Sequence, residues 1–66
     1  MDGQLVRKIR RNAMLIQEEF AKEIGVAPRT VSRWETGLLP IGLKNQRKIV
    51  EFCKSHEIDI EKVKGE

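Results

Sequence analysis

Two arginines, Arg29 and Arg33, lie four residues apart in a segment whose pattern predicts a short helix. That spacing places both guanidinium groups on one helical face, where the other side chains are uncharged. A guanidinium donates a planar fork of hydrogen bonds that fits phosphates, carboxylates and the O6 and N7 acceptors of guanine. We therefore predict that this face contacts anions or the edges of bases. The residues on it are Pro28, Arg29, Ser32, Arg33 and Thr36.

Cys53 and His56 are the only thiol and the only imidazole, and they lie three residues apart. Nucleophilic catalysis would also need a cleft and stabilising groups, and a structural zinc ion needs four ligands. A chain of 66 residues offers little material for either. We therefore expect a packed cysteine and a histidine at a helix end, with no enzymatic activity, metal, cofactor or small-molecule substrate.

The length of 66 residues predicts a single domain over residues 1–66. Thirteen Lys and Arg against ten Asp and Glu give a formal net charge of +3. Ten basic and five acidic residues lie in residues 1–50, against three basic and five acidic in residues 51–66. The positive charge is concentrated in the first three quarters of the chain, which favours a nucleic-acid partner.

A single cysteine excludes an intramolecular disulfide and suits a reducing compartment. No apolar run approaches the roughly 18 residues that span a bilayer. The start, Met-Asp-Gly-Gln, lacks a basic segment followed by a hydrophobic stretch. We expect a cytoplasmic protein with no membrane contact.

Apolar spacing and helix-breaking residues predict an all-α fold of four to five helices. Four helices are expected over residues 2–13, 17–24, 28–36 and 43–55. A short last helix follows Asp59, and Asp2 is expected to cap the first helix. Gly25 should end the second helix in a left-handed conformation, and Pro28 fits the first turn of the third.

Within these helices, residues at steps of three and four are expected to face a common core. Trp34 belongs to this set, so we interpret it as a packing residue. Because no exposed aromatic platform remains, binding of RNA or single-stranded DNA is disfavoured. The expected inward positions are Leu5, Val6, Ile9, Ala13, Phe20, Ala21, Ile24, Val31, Trp34, Glu35, Leu38, Leu43, Gln46, Ile49, Val50, Phe52 and Cys53.

Residues 17–36 carry, at the required spacing, the residue types that are typical of a helix-turn-helix. Two helices joined by so short a turn cross at ~90–120°, so a small residue is needed where they approach, and Ala21 supplies it. Gly25 follows four residues later. Five apolar residues stand at fixed offsets around the turn, namely Phe20, Ile24, Val26, Val31 and Trp34.

Arg10, Leu15-Ile16-Gln17-Glu18-Glu19-Phe20-Ala21, Gly25-Val26 and Thr30-Val31-Ser32-Arg33-Trp34-Glu35-Thr36-Gly37 together resemble the lambda-repressor/Cro-type (XRE) helix-turn-helix family. The resemblance covers roughly residues 5–60. It implies a compact five-helix domain that binds duplex DNA through the major groove as a transcriptional regulator, most simply a repressor. It also implies an ion pair between Glu35 and Arg10, and it favours a homodimer that reads two half-sites.

Site residues follow from the predicted helices and this resemblance. Arg29 and Arg33 are expected to contact base edges, with Ser32 beside them, and Pro28 can offer a thymine methyl only an apolar contact. Phosphate contacts are expected from Gln17, Thr36 and Lys44.

Three residues depart from the family pattern. Ile16 and Ala27 replace the capping residues that usually precede the second and third helices, and Met14 replaces a glycine or polar residue. Each missing cap costs about 0.5 to 2 kcal/mol, and hydroxyl contacts to phosphate are lost at both places.

A protein-interaction module is the alternative function, because one fold serves several purposes. An interaction helix would favour apolar anchors on the face that carries Arg29 and Arg33, whereas this face has cations and no acid. The sequence leaves open whether Ile58, Ile60 and Val63 join two copies or complete the core of one.

Overall fold

Five α-helices follow one another in the computed structural model, which describes all 66 residues. They are α1 (Gly3–Asn12), α2 (Gln17–Ile24), α3 (Pro28–Glu35), α4 (Leu43–Ser55) and α5 (Ile60–Lys64). The predicted all-α architecture is confirmed, with α2 and α4 at their predicted bounds. Helix α3 ends one residue earlier than predicted, and Thr36 forms its C-cap. None of the helices has the length and apolar character required to cross a lipid bilayer.

Side-chain caps begin the first and last helices. A carboxylate oxygen of Asp2 accepts the backbone N–H of Leu5 at 2.9 Å. Asp59 accepts the N–H groups of Glu61 and Lys62 at 3.0 and 3.4 Å. Both expected caps are confirmed, and they satisfy donors that a helix start leaves without partners.

One buried apolar cluster holds the helices together. Phe20 of α2 and Phe52 of α4 meet edge to face, with ring centroids 4.9 Å apart and planes at 84°. Trp34 is buried among these residues, which confirms its interpretation as a packing residue. The cluster comprises Leu5, Val6, Ile9, Phe20, Ala21, Ile24, Val31, Trp34, Ile41, Ile49, Phe52, Cys53 and Val63.

The C-terminal apolar residues complete this core. Val63 is buried, and Ile58 and Ile60 are partly buried against the cluster. Of the two roles that the sequence left open for them, packing within one copy is the one observed.

Two residues expected to face inward do not: Leu38 is 77% and Leu43 is 64% exposed. Gly37 adopts φ 78°, so the helical path ends before Leu38 and the spacing that aligned it with Trp34 is interrupted. Leu43 is the first residue of α4, and Ile41 of the preceding loop is buried instead. The prediction was wrong at Leu38 because helical periodicity was extended beyond the end of α3. It was wrong at Leu43 because the buried apolar side chain at the start of α4 is that of Ile41 in the preceding loop.

Helix α1 approaches the end of α3 at Gly3. A Cβ atom at this position would overlap the carbonyl oxygen of Trp34 and would lie 3.0 Å from the Cα of Glu35. Only a residue without a side chain permits such an approach between two backbones. Gly3 therefore fixes the distance between the start of α1 and the end of α3.

Replacing Gly3 by Ala is expected to lower the free energy of unfolding by about 1 to 3 kcal/mol, because the added methyl group forces two backbones apart. The matched control is Gly65→Ala, whose Cβ would come no closer than 3.5 Å to a carbonyl oxygen. The control should stay within about 0.5 kcal/mol of the wild type. Urea titrations measure both, and equal midpoints for the two variants would contradict the close approach.

Candidate nucleic-acid interface

The turn between α2 and α3 sets the direction of α3. Gly25 adopts the left-handed conformation at φ 79° and ψ 37°. Its N–H and that of Val26 both donate to the carbonyl of Ala21 at 2.9 Å. Pro28 then occupies the first turn of α3, and Ala21 is fully buried where the helices meet. Both helices are therefore held in a fixed orientation by backbone bonds and a small side chain.

The two faces of α3 differ in exposure and charge. Val31 and Trp34 are buried, while Arg29 and Arg33 are exposed and have no carboxylate at ion-pair distance. The structure thus brings the two arginines to one open face. The neighbouring positions Pro28 and Thr36 are exposed too, and Ser32 is half-buried.

The hydroxyl of Thr36 is occupied within its own helix. It donates to the carbonyl of Ser32 at 3.0 Å, with a longer alternative to that of Arg33 at 3.3 Å. A hydroxyl has one hydrogen to donate, and a phosphate oxygen can only accept. A phosphate contact by Thr36 therefore requires this bond to be exchanged.

Arg10 and Glu35 form the ion pair that the resemblance implied. Nε and Nη2 of Arg10 donate to the two carboxylate oxygens of Glu35 at 2.8 and 2.9 Å, a bidentate arrangement. The side chains are only 13% and 5% exposed. Nη1 of Arg10 also donates to the carbonyl of Leu15 at 2.9 Å. One guanidinium therefore joins α1, α3 and the segment that leads into α2.

Burial and hydrogen bonding act in opposite directions on Glu35. Burial alone would raise the pKa of Glu35, but hydrogen bonds from Arg10 and Gln17 and the positive charges of Arg10 and Arg7 hold it below its usual value. The hydrogen bond to Glu35 raises the pKa of Arg10, against the effect of burial. Both groups therefore stay charged at neutral pH.

Gln17 has a second role that the sequence analysis missed. Its Nε2 donates to a carboxylate oxygen of Glu35 at 3.1 Å, and the residue is half-buried. The amide keeps a second hydrogen for another acceptor. The polar residue type was visible in the sequence, but its partner lies 18 positions away and no local pattern links the two. Arg7, whose charge also acts on Glu35, lies three positions before Arg10 on α1.

The starts of α2 and α3 lack side-chain caps. Neither Ile16 nor Ala27 accepts a helix N–H group with its side chain. The carboxylate of Glu19 instead accepts the N–H of Ile16 at 3.0 Å. At the start of α4, Lys44 is exposed and forms no ion pair.

The environments of Cys53 and His56 do not favour nucleophilic catalysis or metal binding. Cys53 is buried, and burial raises the pKa of its thiol, which disfavours the nucleophilic thiolate. His56 is exposed, and its ring centroid lies 4.2 Å from that of Phe52. No group of three or more His, Cys, Asp or Glu side chains is placed to hold a metal ion.

A protein-family model described as Helix-turn-helix matches residues 6–60, which is more than four fifths of the chain. Comparisons with curated proteins and with solved structures gave no match. The matched range includes the Arg10–Glu35 pair, the turn at Gly25 and the whole of α3.

Replacing Arg10 by Met is expected to lower the free energy of unfolding by about 3 kcal/mol, because it leaves the buried carboxylate of Glu35 without a cation. The control is Lys54→Met, which breaks an exposed ion pair with Glu51 at 3.7 Å and should change stability by less than about 1 kcal/mol. Adding Glu35→Leu to Arg10→Met should restore part of the loss. Thermal melts in which Arg10→Met and Lys54→Met lower the melting temperature equally would contradict the buried pair.

Proposed function

Because the chain belongs to the Cro/C1-type (XRE) helix-turn-helix family, a family of DNA-binding domains that are generally transcription regulators, we propose that it reads a specific duplex sequence with the exposed face of α3. The observation that carries the proposal is the pair Arg29 and Arg33. Both are exposed, unpaired and on the face opposite the buried Val31 and Trp34.

An α-helix fits the major groove, where each base pair presents a distinct set of donors and acceptors. Arg29 lies in the first turn of α3 and Arg33 one turn later, so they meet base edges at neighbouring positions. Each guanidinium is suited to a guanine. Pro28 adds an apolar surface that fits a thymine methyl group.

Phosphate contacts would hold α3 in register on the duplex. Gln17 has one amide hydrogen free, because the other donates to Glu35. Lys44 supplies an unpaired ammonium group from the start of α4. Such contacts add affinity for every sequence alike.

A bound domain excludes other proteins from the same groove, so we propose that it regulates transcription as a repressor. An interaction module is the second candidate, and the exposed leucines Leu38 and Leu43 beside α3 favour it. The following titration separates the two.

The domain is expected to bind mixed-sequence duplex DNA at about 50 mM salt and to lose affinity steeply as salt rises, because Lys and Arg side chains release counterions from phosphates. Fluorescence anisotropy measures the slope of log K against log salt. The doubly substituted control Arg29→Glu/Arg33→Glu should bind far more weakly. Absence of wild-type binding at low salt would favour the interaction module.

Arg29→Ala is expected to cost about 1 to 3 kcal/mol on a sequence selected from a random duplex library and to relax preference at one base position. Lys44→Ala is the matched comparison: it should weaken all sequences equally and reduce the salt slope by about one unit. Each variant is titrated against the selected site and a scrambled duplex. Equal losses of Arg29→Ala on both duplexes would show that Arg29 contacts phosphate and not bases.

A further inference from the structure

A groove lies where α1, α4 and α5 meet, on the side of the molecule that the proposed function does not use. Its volume is about 750 Å³, within the ~300–1,000 Å³ that is usual for small-molecule sites. Leu5 and Lys8 line it from α1, Val50 from α4, and Ile60 and Lys64 from α5. We call it the three-helix groove. None of its lining residues belongs to α2 or α3.

Two of the three helices present an aliphatic side chain followed by an ammonium group. On α1, Leu5 is followed three residues later by Lys8, and on α5, Ile60 is followed four residues later by Lys64. Residues three or four apart lie on one helical face. Val50 is half-buried beside them and adds a third aliphatic side chain. The three-helix groove therefore has an aliphatic part and a cationic part.

The two lysines lie at the same end of the groove. The ammonium group of Lys8 donates to the backbone carbonyl of Glu66 at 2.7 Å, and Glu66 follows Lys64 by two residues. The carboxylate of Glu66 accepts a hydrogen bond from Asn12 instead, at 3.2 Å. An ammonium group has three hydrogens, so Lys8 keeps two for another acceptor. Lys64 has only an exposed ion pair with Glu61 at 3.5 Å, which is a weak contact in water.

The opposite end of the groove is acidic. Asp2 also lines it and lies six residues before Lys8, which corresponds to about 9 Å at 1.5 Å per helical residue. The carboxylate of Asp2 already accepts the N–H of Leu5 at 2.9 Å as the cap of α1. An anionic group in the groove is repelled by Asp2 and attracted by the two lysines, so charge determines which way a ligand lies.

We propose that the three-helix groove binds an aliphatic carboxylate of medium chain length, with its carboxylate on the two lysines and its chain along the aliphatic side chains. No aromatic residue lines the groove, so a planar ring would have no stacking partner there. About seven carbon–carbon bonds of ~1.5 Å, each advancing somewhat less because of the bond angle, cover the distance from the lysines to Asp2. Octanoate has this length.

The ligand is bound and not converted, and it does not compete with DNA. Neither the thiol of Cys53 nor the imidazole of His56 lines the groove. Because α2 and α3 do not line it either, the ligand and a duplex can be bound at the same time. The inference goes beyond the proposed function and does not depend on it.

The carboxylate and the chain must both contribute to affinity. Exposed ion pairs alone are weak in water. Complete burial of one methylene group raises affinity by about fourfold, so a chain that is shorter by two methylenes should bind about tenfold more weakly in a groove that buries most of it. This dependence on chain length distinguishes binding in the groove from pairing with surface lysines.

The test follows the backbone amide signals of isotope-labelled protein by two-dimensional NMR during titration with octanoate. Signals of Leu5, Lys8, Val50 and Ile60 should shift and saturate, whereas that of Arg33 in α3 should not move. Hexanoate should bind about tenfold more weakly. Octylammonium, which has the same chain and the opposite charge, should bind at least about tenfold more weakly because the lysines repel it. Absence of a saturable shift, or equal affinity for octanoate and either comparison ligand, overturns the inference.

A matched pair of variants tests the lysines. Lys8→Gln/Lys64→Gln should lower the affinity for octanoate at least about tenfold, because it removes both cations from the groove. The control Lys54→Gln/Lys62→Gln changes the net charge equally at two exposed lysines outside the groove and should keep the affinity within about twofold. Unchanged affinity in the first variant, or equal losses in both, overturns the inference.

Two further results are kept apart from these. If Lys8→Gln/Lys64→Gln does not fold, the comparison of octanoate with octylammonium on the wild type decides the inference alone. Absence of DNA binding by a protein that binds octanoate would overturn the proposed function and leave the three-helix groove as a ligand site.

Discussion

The ion pair between Arg10 and Glu35 determines how the first three helices meet, because the hydrogen bonds of these two side chains join α1, α3 and the start of α2. Arg10 belongs to α1, Glu35 to α3, and Gln17, which also donates to Glu35, begins α2. The carboxylate of Glu35 is only 5% exposed and is costly to leave without partners, so a shift of any of these helices would break a hydrogen bond that stabilises it. The orientation of the proposed reading face therefore depends on this network.

The helix-turn-helix itself was predictable because its determinants are local. Gly25 is needed at a backbone conformation that other residues adopt at a cost, and Pro28 fits only where a helix starts. Ala21 follows from the steep crossing of two helices joined by so short a turn. Each constraint acts within a few residues, so the local pattern of residue types was sufficient to predict it. The bounds of α2 agree with the prediction.

Contacts between distant segments were not predictable in the same way. The approach of Gly3 to Trp34 depends on where α3 ends relative to α1, and a glycine at the start of a helix has no distinct pattern. The bond from Gln17 to Glu35 requires the same knowledge. Leu38 shows the opposite error, since periodicity assigned it to the core although Gly37 had already ended the helical path. Tertiary geometry decides the first two, whereas the local backbone conformation of Gly37 decides the third.

The missing caps change where affinity for DNA can come from. A helix start normally attracts anions through its free N–H groups. At the start of α2, however, Glu19 already accepts the N–H of Ile16, and Glu18 adds a second negative charge in the same turn. The negative charges of these carboxylates stabilise α2 through the helix dipole, but they repel an approaching phosphate. In the proposed complex, attraction to the duplex must therefore come mainly from the side-chain cations of α3 and α4. Because the cations of α3 also face the bases in that proposed complex, the proposal assigns affinity and sequence preference to the same side chains.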